Sequence, residues 1–466
     1  MDIKVKFLGG AGTVTGSKFL IEVDHLKILV DCGLFQGRKE YRLRNWDKFP
    51  MEPSKIDMVI LTHAHIDHSG YLPKLVKEGF HGPIYLTEPT LELVKILLLD
   101  AGKLQEEEAK YAAKKGYSKH QNPLPLFTKE DAEKVFPLLQ PLDFESVTKL
   151  TGSISLTAYN AGHILGASIM KLKFTGQNQE KKIVFSGDLG RFKDPILNPP
   201  TEIPLCDVLF LESTYGDRIN SGKDIEKQLA AAIKEAYHRG GVSVIPSFAV
   251  GRTQMILFYL HRLQEKGLIP SIPIYVDSPM AIDVTKLYQR FSHYHHLGAS
   301  LEEKGANPFS HKNLHYYQDQ EASMSLNHLR GDAIIISASG MATGGRILHH
   351  LYHRLPNEND NVIFVGYQAE GTRGRKILDG EKTCRIYGID VEIKASVHFI
   401  DGLSAHADQD ELRLWCEGFI SKPKMTFLVH GEKSASDQLS LLLQQDLNWK
   451  PICPEYLESF TLFSGI

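Results

Sequence analysis

Four side chains that can bind a metal ion lie within six residues of this chain. They are His63, His65, Asp67 and His68, and they follow the apolar run 58–61, which predicts a buried strand. We therefore expect all four on the loop that leaves the carboxyl end of this strand, where alternate side chains can turn toward a common centre. Several partly buried ionisable groups repel one another unless a cation pairs them, so the cluster predicts a metal site.

Four further segments place an aspartate or histidine at the end of an apolar strand. These residues are Asp31, His163, Asp188 and His430. One such residue alone is usually a turn residue. Open sheets, however, collect functional groups at the carboxyl ends of their strands, so four of them together indicate a site.

The candidate ligands divide into two sets, each leaving a coordination position for water, as catalytic zinc sites do. The first set is His63, His65 and His163, the second is Asp67, His68 and His430, and Asp188 can bridge them. Two cations about 3.5–4 Å apart that share a hydroxide form a device for in-line attack at phosphorus. We expect Asp31 to hydrogen-bond a ligand histidine or the bridging water and so fix its orientation.

Composition restricts the class of protein. The chain has 466 residues, which suggests two or three domains. Its net charge is −3, so the chain has no overall positive charge that would indicate nucleic-acid binding. Five scattered cysteines without a CxxC spacing argue against a disulfide framework and a cysteine-zinc site, and they suit a reducing cytoplasm. The amino terminus does not read as a signal peptide and the apolar runs are strand-sized, so we predict a cytoplasmic protein without a membrane span.

The order of predicted elements indicates one α/β domain inserted into another. Strands and tight turns dominate the first part of the chain, and a strand–helix alternation begins near residue 219. Such alternation predicts a parallel sheet with right-handed crossovers. After about residue 391 the chain returns to strand, helix, strand and a closing helix.

The motifs carry a family resemblance. The segment 63–68, taken with Asp31, His163 and Asp188, resembles the metal motifs of the metallo-β-lactamase superfamily. Three further motifs resemble those that define the β-CASP nucleases, which include the cleavage-and-polyadenylation endonuclease and its prokaryotic relatives. These are Glu212 in segment 211–216, His406 in segment 403–408 and His430 in segment 428–432.

The resemblance implies a fold class and domain limits. The fold is α/β: a metallo-β-lactamase αββα sandwich with an inserted β-CASP α/β domain, whose parallel sheet is flanked by helices. Residues 1–215 would form the first part of the metallo-β-lactamase domain and residues 395–466 its last part. Residues 216–394 would form the inserted domain.

The resemblance also implies a function. A histidine at the position of His430 goes with RNA-processing members, so the expected activity is zinc-dependent hydrolysis of single-stranded RNA. The expected cofactors are two Zn²⁺ ions, with Mn²⁺ as a substitute. A metal-held hydroxide would attack phosphorus, and His406, oriented by Glu212, would protonate the leaving 3′ oxygen. The products would carry 5′-phosphate and 3′-hydroxyl ends, and the predicted catalytic residues are Asp67, Glu212, His406 and Asp31.

Three loops of the inserted domain, 246–252, 337–346 and 366–375, combine small residues with arginines. Backbone N–H groups at a helix start attract phosphate, although a tight turn is the plainer explanation for any one loop. All three resemble β-CASP segments. The predicted RNA and phosphate contacts are Arg252, Ser339, Gly340, Arg346, Arg373 and Arg375, together with Ser404 beside His406.

Alternatives remain open from the sequence. A superfamily hydrolase of a small thioester or lactone would leave the arginine-bearing loops unexplained, and a catalytically silent RNA-binding subunit would not need every ligand. Endonucleolytic cleavage is preferred over 5′-3′ exonucleolytic cleavage without being decided, and a homodimer is an open alternative to a monomer. We expect the site in a cleft between the domains, and its narrowness predicts the preference for single strands.

Overall fold

The computed structural model describes residues 1–115, 123–177, 179–220, 224–298, 301 and 306–465. The chain forms two compact units: unit 1 comprises Met1–Ile219 and His406–Ile466, and unit 2 comprises Asn220–Ala405. Unit 2 is therefore an insertion within the sequence of unit 1. The domain limits at 215/216 and 394/395 stay a prediction beside this division at 219/220 and 405/406.

Seven strands, numbered here along the whole chain, form the first sheet of unit 1. They are β1 (Ile3–Gly9), β2 (Lys18–Val23), β3 (Leu26–Val30), β4 (Met58–Ile60), β5 (Ile84–Thr87), β6 (Leu139–Leu142) and β21 (Ser459–Phe463). Their order is β21-β1-β2-β3-β4-β5-β6, and β3 to β6 run parallel. In β1, buried Ile3, Val5 and Phe7 alternate with more exposed lysines, because successive side chains of a strand point to opposite faces.

The second sheet of unit 1 has six strands. They are β7 (Val147–Lys149), β8 (Ile154–Asn160), β9 (Ser168–Thr175), β10 (Glu180–Phe185), β11 (Val208–Glu212) and β20 (Met425–Val429). Their order is β20-β11-β10-β9-β8-β7, and β10, β11 and β20 are parallel. β20 belongs to the second sequence segment of unit 1 and the other five strands to the first, so this sheet joins the two segments.

Aromatic side chains fill the space between the two sheets. Phe210 lies at the centre, with its ring centroid 4.3 Å from that of Phe185, 5.1 Å from that of Phe427 and 5.8 Å from that of Phe7. Side chains from both sheets join one buried cluster around these rings. The two sheets are therefore held face to face by apolar burial, with their strand ends along one rim.

Helices cover the outer faces of unit 1. They are α1 (Lys39–Leu43), α2 (Ile66–Ser69), α3 (Leu72–Lys77), α4 (Glu88–Lys115), α5 (Lys129–Glu133), α12 (Gln409–Glu417) and α13 (Lys433–Leu447), with 3-10 turns at Pro53–Lys55 and Phe136–Leu138. α4 contacts β5 and β6 of the first sheet, and α13 contacts β20 of the second. The predicted αββα sandwich is confirmed.

Unit 2 contains a six-stranded parallel sheet and a hairpin. The sheet strands are β12 (Val242–Pro246), β13 (Ile274–Val276), β14 (Leu314–Tyr316), β15 (Ala333–Ser337), β16 (Asn361–Phe364) and β19 (Ser396–Phe399), and the hairpin is β17 (Thr383–Ile386) with β18 (Ile389–Glu392). The sheet order is β14-β13-β15-β12-β16-β19. β12 and β15 are buried along their whole length, as expected for central strands of a parallel sheet.

Six helices among the described residues of unit 2 flank this sheet and its hairpin. They are α6 (Ile225–His238), α7 (Arg252–Glu265), α8 (Pro279–Arg290), α9 (Gln320–Ser325), α10 (Ile347–Arg354) and α11 (Arg373–Leu378), with 3-10 turns at Ser292–Tyr294 and Leu326–His328. The predicted inserted domain with a parallel sheet and flanking helices is confirmed. In the part of the chain described above, no helix has both the length and the apolar character that a membrane span needs.

Candidate metal centre

The six-residue cluster follows β4, but only part of it is loop. His63 and His65 lie on the irregular segment after the strand, whereas Asp67 and His68 lie in the short helix α2. The prediction that all four ligands sit on a loop is therefore wrong for Asp67 and His68. The reason is local: the His65 carbonyl accepts the backbone N–H groups of His68 and Ser69, each at 2.9 Å, and this closes a helical turn.

Three imidazoles and one carboxylate form the first donor group. Nδ1 of His65 lies 3.2 Å from Nε2 of His63 and 3.1 Å from Nε2 of His163. Oδ2 of Asp188 lies 3.5 Å from Nε2 of His63 and 3.6 Å from Nε2 of His163. The four donor atoms all lie within 4.8 Å of one another, so they can surround one ion.

The second donor group lies on the other side of the Asp188 carboxylate. Oδ1 of Asp188 is 3.4 Å from Nε2 of His68 and 3.3 Å from Nδ1 of His430. Oδ2 of Asp67 is 3.2 Å from Nε2 of His430, and Asp67, His68 and His430 bring donors within 4.8 Å of one another. Asp188 therefore presents one oxygen to each group. All seven predicted ligands are brought together within unit 1.

The donor atoms fit a cation. Nε2 of His68 and Oδ1 of Asp188 are buried 3.4 Å apart without the geometry of a hydrogen bond, and a cation that both atoms bind would compensate for their burial. Burial opposes ionisation of Asp188, but the surrounding imidazoles hold its pKa well below the usual value. Burial also lowers the pKa of His63 well below its usual value. For Asp188 and His63 these shifts favour the ionised carboxylate and the neutral imidazole, which are the forms that bind metal.

Asp31 orients one ligand. It follows β3 with a φ of 59°, and its Oδ2 accepts a hydrogen bond from Nδ1 of His68 at 2.8 Å. Thr62 fixes the same carboxylate, because its backbone N–H donates to Oδ1 at 2.8 Å and its hydroxyl to Oδ2 at 2.9 Å. This leaves Nε2 of His68 directed at the donor group, an arrangement that metal-ligating histidines commonly require.

Glu212 and His406 form a second pair beside the donors. Oε1 of Glu212 lies 3.4 Å from Nδ1 of His406 and accepts the backbone N–H of Leu189 at 2.6 Å. Burial alone would lower the pKa of His406, but the Glu212 carboxylate raises it to about 9. Nδ1 of His406 is also 3.9 Å from Oδ2 of Asp188. Glu212 is fully buried while the His406 side chain is 20% exposed, so the histidine is the member that a substrate can reach.

Hydroxyl groups support the site in ways that the motifs did not predict. Oγ1 of Thr214 lies 3.0 Å from Nδ1 of His430, and Oγ of Ser186 accepts the backbone N–H of Glu212 at 3.0 Å. Thr62, described above, does the same for Asp31. Their only sequence signal is their position beside a candidate ligand or acid, which many unrelated serines and threonines share.

The predicted RNA-binding loops of unit 2 follow three neighbouring parallel strands, β15, β12 and β16. They contact one another: Nε2 of Gln368 donates to the Gly340 carbonyl at 3.0 Å, and a Cβ atom on Gly340 would lie 2.8 Å from the Phe248 ring. A side chain at position 340 would therefore collide with the neighbouring loop. The structure brings these loops together.

The arginines of these loops bind protein groups. Arg346 donates to buried Asp277 at 2.7 Å, Arg373 to the Thr343 carbonyl at 3.0 Å, Arg375 to Asp379 at 2.9 Å, and Arg252 to the Val365 carbonyl. Oγ of Ser339 accepts the backbone N–H of Thr343 at 3.0 Å. Ser404 lies near the end of unit 2. Each of these four arginines thus has a partner within the protein.

Comparison with known proteins agrees with the fold. Residues 20–203 match the profile of the "Metallo-beta-lactamase superfamily domain", residues 253–377 that of the "Beta-Casp domain" and residues 390–454 that of the "Zn-dependent metallo-hydrolase RNA specificity domain". A crystal structure described as that of a protein of unknown function from Enterococcus faecalis V583 shares the fold. Its TM-score is 0.57 at 15% identity, and the match covers 99% of this chain and 100% of that one.

Two relatives are similar to this chain over most of its length. The chain is 38% identical over 437 residues to "Ribonuclease TTHA0252" of Thermus thermophilus, a match that covers 93% of this chain and 94% of the relative. It is 33% identical over 452 residues to "Transcription termination factor FttA" of Methanosarcina mazei, covering 94% of this chain and 68% of the relative. The fold and donors define a metallo-hydrolase that binds a divalent metal. The chain belongs to the β-CASP family of the metallo-β-lactamase superfamily.

We predict that Asp31→Asn weakens metal binding about 10–100-fold while the protein stays folded. Asparagine keeps the shape and tolerates the positive φ, but its amide cannot accept every hydrogen bond from Thr62 and His68. Competition with a chromophoric chelator measures the affinity. The control is Asp24→Asn, the same change at an exposed residue with a φ of 52°. Equal affinities in the two variants would contradict the orienting role of Asp31.

Proposed function

We propose that this chain is a ribonuclease that holds two zinc ions and cuts single-stranded RNA internally, leaving 5′-phosphate and 3′-hydroxyl ends. The observation that carries the proposal is a buried two-sided set of seven donors with an acid–histidine pair at its edge. Kinship with a protein named as a ribonuclease supports RNA as the substrate. Mn²⁺ remains a candidate substitute for zinc.

His63, His65, His163 and Asp188 would hold one ion, and Asp67, His68, His430 and Asp188 the other. When bound, such ions would act as Lewis acids. They would neutralise charge on the phosphate and lower the pKa of a bound water molecule toward neutral pH. Only Asp67 is appreciably exposed among the residues of the second group, with 22% of its side chain open to solvent. This side of the donor set is where the phosphate would approach.

His406 would donate a proton to the departing 3′ oxygen. Its Nδ1 faces Glu212, so the carboxylate stabilises the imidazolium form and orients the ring, and the other ring nitrogen would meet the leaving group. The backbone N–H of Leu189 in turn holds Glu212 in place. Asp31 acts through His68 and is a positioning residue. Asp67, Asp31, Glu212 and His406 are thus the four residues proposed to serve catalysis.

The loops of unit 2 are the proposed contacts for RNA phosphates. Each arginine there already uses some of its N–H groups within the protein, yet a guanidinium has five donors and can bind phosphate with those that remain. The proposed residues are Arg252, Ser339, Gly340, Arg346, Arg373, Arg375 and Ser404. The cleft between domains, the cytoplasmic location and a homodimer stay predictions.

A circular single-stranded RNA tests the proposed cleavage mode, because it offers no end to an exonuclease. We expect the metal-loaded protein to linearise the circle into a product with a 5′-phosphate, and to cut a matched duplex at least tenfold more slowly. Mass spectrometry identifies the ends. Asp67→Ala should abolish the reaction. If the circle stays intact while the linear form is digested, the protein is an exonuclease and internal cleavage is refuted. Activity on thioesters or lactones alone would refute the whole proposal.

We predict that His406→Ala slows RNA cleavage by about 10²–10⁴-fold and leaves metal content unchanged, because the leaving oxygen loses its proton donor. A substrate with sulfur in place of the bridging 3′ oxygen needs no such donor. This substrate should therefore be cut by His406→Ala nearly as fast as by wild type, while Asp67→Ala remains inactive on it. His25→Ala, at an exposed histidine of unit 1, is the matched control. An equal loss on both substrates would show that His406 is not the donor.

A further inference from the structure

Residues 36–48 of unit 1 form an exposed basic segment that the proposed mechanism does not use. We name it the basic platform. Its five cations are Arg38, Lys39, Arg42, Arg44 and Lys48, against two acids, Glu40 and Asp47. A local excess of positive charge in a chain of net charge −3 marks this surface as one that attracts an anionic partner.

The platform is fixed to the body of unit 1 at both ends. The side chain of buried Asn45 bonds to both backbone groups of Phe35, accepting its N–H at 2.9 Å and donating to its carbonyl at 2.7 Å. The backbone N–H of Gln36 donates to Oγ1 of Thr15 at 2.7 Å. Beyond the platform, buried Phe49 packs against Tyr71 with ring centroids 5.7 Å apart. The charged side chains are thus carried on an ordered segment that includes the short helix α1.

The inner and outer faces of the platform differ. The Arg44 guanidinium stacks on the protein, 4.2 Å from the Tyr456 ring centroid and 5.4 Å from that of Phe35. The other four cations are exposed. Trp46 is exposed among them at 57%, whereas the two other tryptophans, Trp415 and Trp449, are buried. An exposed tryptophan among cations is the combination that binds single-stranded nucleic acid, by base stacking and phosphate attraction.

The platform follows a segment, residues 32–34, that packs on the metal motif of the same unit. The residues that lead into it contact the metal motif: the backbone N–H of Cys32 donates to the His68 carbonyl at 2.7 Å, and that of Leu34 to the Ile66 carbonyl at 2.9 Å. A Cβ atom on Gly33 would lie 1.6 Å from the Asp67 carbonyl oxygen, so this approach needs glycine. Only a few residues separate ligand-orienting Asp31 from the first cation of the platform.

We propose that the basic platform binds the RNA strand next to the scissile phosphate, with phosphates on Arg38, Lys39 and Arg42 and a base stacked on Trp46. This deepens the proposed function and rests on it for the substrate. RNA is favoured over an acidic protein segment because stacking accounts for the exposed indole as well as for the charge. A neighbouring contact of this kind raises the affinity for long substrates and leaves the chemical step unchanged.

The first test compares a long and a short substrate. The triple variant Arg38→Gln, Lys39→Gln, Arg42→Gln should raise KM for a single-stranded 20-mer about tenfold at unchanged kcat, and reduce the slope of log KM against log salt by roughly 2. Hydrolysis of bis(p-nitrophenyl) phosphate, too small to reach the platform, should not change. The charge-matched control is Lys422→Gln, Lys424→Gln, Lys450→Gln, beyond the opposite end of β20 from His430. Equal KM values for the two triple variants would overturn the proposal.

The second test uses Trp46 as a reporter, because the other tryptophans are buried. In the full-length metal-loaded His406→Ala protein, oligo(U) should change the tryptophan emission and shield it from acrylamide, and Trp46→Leu should abolish both effects. Poly-glutamate should leave the emission unmoved. Emission that ignores RNA, or that responds equally to poly-glutamate, would overturn the proposal. A wild type that binds oligo(U) through Trp46 without cutting RNA would instead refute the proposed function while supporting the platform.

Discussion

The carboxylate of Asp188 is the group on which the rest of the site depends. It is buried, and each of its oxygens faces a different set of imidazoles, at distances from 3.3 to 3.6 Å. Burial of such a charge is costly without compensation, so the carboxylate depends on the surrounding imidazoles and on the divalent metal that this donor set binds. The acid–histidine pair also lies against this carboxylate, which links the metal donors to the proposed proton donor in one electrostatic unit.

The fold places these ligands around Asp188 at one rim of the two packed sheets. Parallel strands β3 and β4 deliver Asp31 and the cluster from one sheet, and β10, β11 and β20 deliver Asp188, Glu212 and His430 from the other. The phenylalanine core centred on Phe210 holds the two sheets together. The packing of the sheets therefore brings together ligands that are far apart in the sequence. Asp31 and His430 adopt a positive φ, which is uncommon for residues other than glycine, and both lie where the chain turns at this rim.

The metal ligands could be predicted from the sequence because most of them lie at the ends of strands. Asp31, His163, Asp188 and His430 each follow an apolar run, and the general behaviour of open sheets was enough to group them with the cluster. The helical turn at Asp67 and His68 escaped prediction because it depends on bonds to one carbonyl. The partners of the unit 2 arginines were equally hidden: Asp277, which binds both Arg346 and His350, is about 70 residues from either in sequence. Propensity and spacing carry no information about such long-range pairs.

Anomalous diffraction at the zinc edge, from crystals of protein loaded with zinc, would locate the metal ions relative to the Asp188 carboxylate. We expect two peaks per chain, on opposite sides of the Asp188 carboxylate. One should be bounded by His63, His65 and His163, and the other by Asp67, His68 and His430. A single peak, or two peaks of which one lies away from Asp188, would contradict this expectation.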